Sequence, residues 1–368
     1  MPGSSTPLAH PLRRPFGLPA WTVIVPLLGL VALTLGSGGL FSAIKLALLG
    51  AAIMAAVYHA EVLAHYLGEP FGTLVLALAV TVIEVSLIVS IMLSEGAGAQ
   101  ALARDTLIAA IMITVNGIMG LCLLAGGRRH HKQNFTRSGV SAGLAMLATL
   151  SVLTLILPNY TVSERGPFYT DAQLIFVAVV SLAVYATFVV AQTIRHREDF
   201  LHVDPAVKKA VTHAPVVRSQ ALAAGLSMVV TLVVVVLLAK KLSPVIESGV
   251  AAIGAPQALV GIIIAALVLA PEGFAALAAA RRNAVQTSIN LAIGSALASI
   301  GLTIPAVAVA SLAMGLELEL GLSMRSTVLL ALTLLVATLT FAQGRTTFVQ
   351  GVIHLVIFAS YLFLTIFP

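Results

Sequence analysis

Long apolar runs, separated by short breaks of charge, glycine and proline, fill this chain from Trp21 to its C-terminal end. Each is near or above the roughly 20 residues that an α-helix needs to cross the hydrocarbon core of a bilayer. Taking the charge-free stretches as spans predicts helices over 20–36, 40–58, 71–93, 105–126, 139–157, 170–194, 219–239, 256–280, 284–311, 326–342 and 347–367. The predicted fold class is an all-α polytopic membrane protein of about eleven transmembrane helices. Glycines, prolines or polar residues in the second, eighth and ninth spans are expected to break them. The apolar segment after Arg13 and Arg14 is read as a first spanning helix rather than a signal peptide, since Pro19 and Pro26 interrupt it and no small-residue cleavage site follows.

The longest polar connection, 195–218, holds mixed charges with His196, His202 and His213, and reads as a linker between halves. It divides the chain into an N-terminal segment with the first helix (1–38), five helices (39–194), the linker and five more helices (219–368). Because five is odd, the two sets run in opposite senses, which predicts an inverted repeat with one extra N-terminal helix. Leu76–Glu84 and Ile264–Glu272 align with an acid at the same place, each in the second helix of its set. Inverted repeats bring such equivalent helices together near the bilayer midplane, where secondary transporters bind substrate.

Composition agrees: 59% of the 368 residues are hydrophobic and 9% are charged, against roughly 25% charged in an average soluble domain. The net charge of +6 suggests no nucleic-acid partner, because the basic residues cluster in the breaks between spans. With the N-terminus in the cytoplasm, fourteen Lys/Arg fall inside and six (Lys45, Arg104, Arg165, Lys240, Lys241 and Arg325) outside. That split fits the positive-inside rule and places the C-terminus outside. Cys122 is the only cysteine, which rules out an intrachain disulfide or a cysteine-rich metal cluster.

The candidate chemistry follows from cost. A carboxylate at bilayer depth costs about 2.5–3.5 kcal/mol on insertion scales, so it faces the bundle interior and marks a pathway or relay. Glu84 lies well inside its span, and Glu272 stands between Pro271 and Gly273, which loosen the helix and free backbone carbonyls as ligands. Glu84 and Glu272 are therefore the expected cation- and proton-binding residues and the metal ligands. Two facing carboxylates with hydroxyls and carbonyls make a hard oxygen site suited to Ca²⁺, for which protons compete. Supporting polar groups lie on the following helices: Thr106, Thr114 and Asn116 in one half, with Gly117 and Gly120 permitting close helix approach, and Ser288, Asn290, Ser295 and Ser299 in the other. Ser288, Ser295 and Ser299 fall broadly on one helix face. Glu61, His65 and Glu69 read as a solvated helix end, Lys45 as snorkelling to the outer surface, His354 as a lone intramembrane histidine, and Glu317 and Glu319 as an outer polar loop.

Several stretches resemble the calcium/proton exchangers of the cation/calcium exchanger superfamily, particularly bacterial antiporters of the ChaA type. They are Leu67–Thr73 with the Glu84 helix after it, Ala103–Ile108, Leu124–Gly127, Pro271–Gly273, Asn290–Ser295, Leu302–Pro305 and Gly344–Thr347. The resemblance covers nearly the whole chain. It implies eleven helices in two inverted repeats of five, an acid in each repeat binding the exchanged cation, and a multi-pass protein of the bacterial inner membrane. Of a Gly-Ser pair expected in both helices after the acids, this chain keeps Gly294-Ser295 and has Ala109-Ala110 in the other half. The implied function is secondary active Ca²⁺/H⁺ antiport by alternating access, with Na⁺/H⁺ or K⁺/H⁺ antiport through the same site as the alternative. No enzyme activity and no cofactor are expected; the partners are the bilayer, the transported cation and protons. An intramembrane hydrolase would need a nucleophile facing a base, and no such arrangement is legible. A channel would carry ions without proton coupling.

Overall fold

In the computed structural model of the chain, residues 17–36, 38–68, 71–95, 100–200 and 216–367 are described, the side chains at 71–74, 76, 94 and 95 excepted. Glu69, His202, His213 and most of the expected linker lie outside them. The helices are α1 (Ala20–Ala32), α2 (Gly39–Leu67), α3 (Phe71–Glu95), α4 (Leu102–His130), α5 (Arg137–Asn159), α6 (Asp171–Arg195), the short α7 (Arg197–Phe200), α8 (Arg218–Ala252), α9 (Ala258–Arg281), α10 (Val285–Met314), α11 (Met324–Phe341) and α12 (Phe348–Ile366). Among the described residues, nine helices have the length and hydropathy to cross a membrane, and α1 and the Ala77–Leu93 stretch of α3 are shorter apolar helices. The protein is a multi-pass, all-α membrane protein, as the hydropathy pattern requires.

Proline does not break the helices expected to break. α9 runs unbroken through Pro271, and α10 through Pro305; α2 is likewise continuous. Proline removes one N–H from the ladder, but in a membrane bundle neighbouring groups re-satisfy the freed carbonyl and the helix carries on. The irregularity falls instead in α4, α5 and α6, where π-helical turns span Met112–Ile118, Val152–Ile156 and Ala191–Arg195. α8 is about 50 Å long at roughly 1.5 Å per residue. It therefore overruns the hydrocarbon layer and carries Lys240 and Lys241 about two-thirds of the way along.

Connections sort into two ends. At one, the α4–α5 and α11–α12 links pair as a two-stranded ladder of β1 (Gln133–Asn134) and β2 (Arg345–Thr346). Gln133 donates there to the Ala280 carbonyl and Asn283, and Arg128, Arg129, Arg137, Arg281, Arg282 and Arg345 gather at this basic end. At the other end, Leu322 donates to the Leu155 carbonyl and Asn159 to that of Leu322, at 2.8 and 2.7 Å. Arg104 pairs there with Asp105 and Glu319, and Gln100 donates to Glu317. Glu317 and Glu319 are thus held by partners.

Lys45 does not snorkel. It is 4% exposed, and its Nζ donates to the carbonyls of Leu35 and Gly36 at 2.9 and 3.0 Å. A cation placed on the carbonyls just past the C-terminal end of α1 satisfies groups that the short helix leaves unpaired.

α4 is the most enclosed span: 83% of its apolar window is buried, against 50% or less in the other eight membrane-length helices. Glycine makes this enclosure feasible. A Cβ on Gly127 would come within 2.4 Å of the Phe348 backbone nitrogen, and one on Gly351 within 2.4 Å of that of Leu124, so α4 and α12 cross backbone against backbone.

Candidate cation site

The two acids arrive on different helices. Glu84 projects from the middle of α3 and is 2% exposed; Glu272 projects from α9, one residue after Pro271. Both line a cavity of about 130 Å³ whose wall also includes Thr81, Tyr185, Asn290, Ser295 and Ser299. Gln192, near the end of α6, and Asn290, near the start of α10, place one side of the cavity toward the basic end.

The polar bookkeeping is incomplete in a telling way. Thr303 of α10 donates to Glu84 Oε2 at 3.1 Å, and the Ser299 hydroxyl also reaches this carboxylate. Glu84 Oε1 and Glu272 Oε2 are buried without any hydrogen-bond partner. Buried carboxylate oxygens are normally satisfied, and these two belong to side chains that line one small cavity, which makes the cavity a candidate site for something positive. No cluster of three His, Cys, Asp or Glu occurs among the described residues. The oxygen-bearing side chains on the cavity are thus two carboxylates, hydroxyls and the Gln192 and Asn290 amides, a set of hard donors.

The supporting residues separate into two groups. Asn290, Ser295 and Ser299 line the cavity with the two acids. Asn290 also donates to the Phe200 carbonyl at 2.6 Å and accepts from Gln286, fixing α7 beside the mouth. The other four are not in the cavity wall, and three of them bond elsewhere. Thr114 donates to the Ala110 carbonyl of its own helix, and Ser288 to the Ala276 carbonyl on α9. Thr106 is fully buried beside the close approach of Gly261, its hydroxyl without a partner. Asn116 joins a separate network: its amide donates to Thr333 at 2.8 Å, and its carbonyl oxygen lies 2.9 Å from His354 Nδ1. His354 Nε2 meets Thr340 at 3.1 Å. His354 is therefore a tied member of a buried bridge between α4, α11 and α12. The bridge bears on the π-helical turn of α4, so Asn116→Ala is expected to remove one buried hydrogen bond from each of Thr333 and His354 and cost about 1–3 kcal/mol. Thermal unfolding of the purified protein in detergent checks this as a lowered Tm.

Thr303 and Thr81 were not singled out from the sequence. Thr303 had a signal, because it lies four residues beyond Ser299, as Ser299 does beyond Ser295, and so extends the same hydroxyl stripe.

A bundle of apolar spans enclosing two acids on one cavity defines the class: a membrane transporter of cations. The sodium/calcium exchanger protein family matches residues 27–194 and 224–367, and the chain belongs to this family of secondary active exchangers. It is 45% identical over 358 residues to the y4hA protein of Sinorhizobium fredii (strain NBRC 101917 / NGR234), covering 95% of this chain and 97% of that one. To the sodium-potassium/proton antiporter ChaA of Escherichia coli (strain K12) it is 35% identical over 355 residues, 94% of this chain and 96% of the relative. In fold it is similar to the H⁺/Ca²⁺ exchanger CAX, with a TM-score of 0.71 at 16% identity, covering 93% of this chain and 86% of that structure.

Proposed function

We propose that this protein is a secondary active cation/proton antiporter in which Glu84 and Glu272 bind either the cation or protons, with Ca²⁺ as the cation. The observation that carries this reading is the pair of buried, unpartnered carboxylate oxygens, Glu84 Oε1 and Glu272 Oε2, on two side chains that line one cavity. Coupling follows from charge. Two ionised carboxylates enclosed in an apolar bundle are too costly to carry between the two sides of the membrane. One Ca²⁺ neutralises them, and so do two protons, so only these loaded states alternate access and each flux requires the other. Two inverted five-helix repeats, 39–194 and 219–368, give such alternation its geometry. The basic end then faces the cytoplasm under the positive-inside rule, with the N-terminus inside and the C-terminus outside a bacterial inner membrane. The cavity reaching toward Gln192 and Asn290 is loaded from that side.

Na⁺ or K⁺ in the same site is the second reading, supported by the 35% identity to an antiporter named for those ions. Proton efflux from inverted vesicles holding a pH gradient separates the two. Addition of Ca²⁺ alone is expected to collapse the gradient; a response to Na⁺ or K⁺ alone transfers the assignment to the second reading, and no response to any of the three overturns antiport.

A further inference from the structure

Of the four helices that wall the cavity, α3 and α9 bring the two acids and α10 the hydroxyls bonded to Glu84. The fourth, α6, presents Tyr185, Phe188, Val189 and Gln192, one face of a helix at spacings of three and four. Tyr185 is 5% exposed. Its hydroxyl makes no hydrogen bond among the described residues, unlike those of the two other buried tyrosines: Tyr169 donates to the Leu153 carbonyl at 2.5 Å, and Tyr361 reaches the Thr365 hydroxyl. A buried phenol normally finds a partner. The side chain is also held at its root. A Cβ on Gly301 would come within 2.5 Å of the Tyr185 Cβ and 3.0 Å of its Cγ, so α6 and α10 cross here with Tyr185 against the α10 backbone.

We infer that the Tyr185 hydroxyl is a further ligand group of the cation site, facing the bound ion directly or through one water. This rests on the antiport reading above and deepens it. A phenol has a proton to give and lone pairs to share, so it can donate to an ionised carboxylate and still present oxygen to a cation. The cavity of about 130 Å³ has room for an ion with a few waters, so a wall group that does not touch the ion can reach it through one of them. The crossing at Gly301 restricts the side chain before the ion arrives, which lowers the ordering cost of the contact. Because the hydroxyl has no protein partner to lose, removing it leaves the internal hydrogen bonds of the bundle intact.

The experiment compares wild type, Tyr185→Phe and Tyr185→Leu in inverted vesicles holding a pH gradient. It reads the half-saturating concentration and maximal rate of proton movement for Ca²⁺, Na⁺ and K⁺, beside the Tm of each purified protein. Tyr185→Phe is expected to raise the half-saturating concentration of the transported cation about five- to tenfold, the worth of one hydrogen-bonding group, at the wild-type Tm. Tyr185→Leu should show the same rise with a lowered Tm, because it also removes part of the ring's volume. Half-saturation at the wild-type value in Tyr185→Phe, whatever Tyr185→Leu does, makes the ring a packing element and overturns this inference alone. Absence of proton movement in wild type overturns the antiport reading itself, and the inference with it.

Discussion

Glu84→Gln and Glu272→Gln are each expected to abolish cation-driven proton movement, with the protein still inserting and purifying in the normal amount. Glutamine keeps the shape of the side chain and removes the exchangeable charge, so the helices lose no packing volume. A single remaining carboxylate balances neither Ca²⁺ nor two protons, and the neutral states that cross the membrane no longer exist for a divalent ion. A loss of at least about a hundredfold in rate is expected, equivalent to about 2.7 kcal/mol. Because a buried unpaired carboxylate is a cost to folding, both variants should unfold at the wild-type Tm or above it. Exchange at the wild-type rate in either variant, measured beside a thermal melt, would sink the two-glutamate mechanism.

The second large effect is structural, and its sign depends on where a glycine stands. Gly351→Ala is expected to destabilise strongly, whereas Gly249→Ala is neutral or stabilising. At Gly351 the new Cβ would meet the Leu124 nitrogen at 2.4 Å and the Gly120 carbonyl oxygen at 2.8 Å. Both are backbone atoms of α4, so no rotamer change relieves the clash and the helices must move apart. Overpacking of this kind costs about 1–3 kcal/mol, and opening the α4–α12 seam places this substitution at the top of that range. At Gly249, in the overhanging part of α8, nothing lies within 4 Å. Alanine there recovers up to about 1 kcal/mol of helix propensity. Tm values for the two variants, both glycine-to-alanine changes in helices, decide whether the seam or generic helix propensity governs stability.

The legible parts of the fold share one physical source. Spans are set by the length of apolar chain needed to cross lipid, a local property, and the predicted helix over 105–126 and the observed α4 differ only at their ends. The failures come from interactions between helices. Pro271 and Pro305 looked like breaks because proline disrupts an isolated helix, but the surrounding bundle keeps α9 and α10 continuous. Lys45 looked like a snorkelling side chain, because nothing local shows that α1 stops at Ala32 and leaves the following carbonyls within its reach. The π-helical turn at Met112–Ile118 has no cue in its own residues.

The candidate site divides in the same way. Glu84 and Glu272 are conspicuous in the sequence, since an acid deep in an apolar run is costly wherever the helix ends up. Which hydroxyls join them is a question of helix rotation and crossing. Thr106, Thr114, Asn116 and Ser288 are as polar and as deep as Ser295 and Ser299, yet they bond or pack elsewhere. By itself, then, the sequence determined the membrane class and where the apolar helices lie, and it made the two acids conspicuous, because transfer into lipid acts on each segment separately. Only the tertiary structure decided that Thr303 reaches Glu84 while Ile118 faces Gly273, because those contacts depend on how α3, α4, α9 and α10 are rotated against one another.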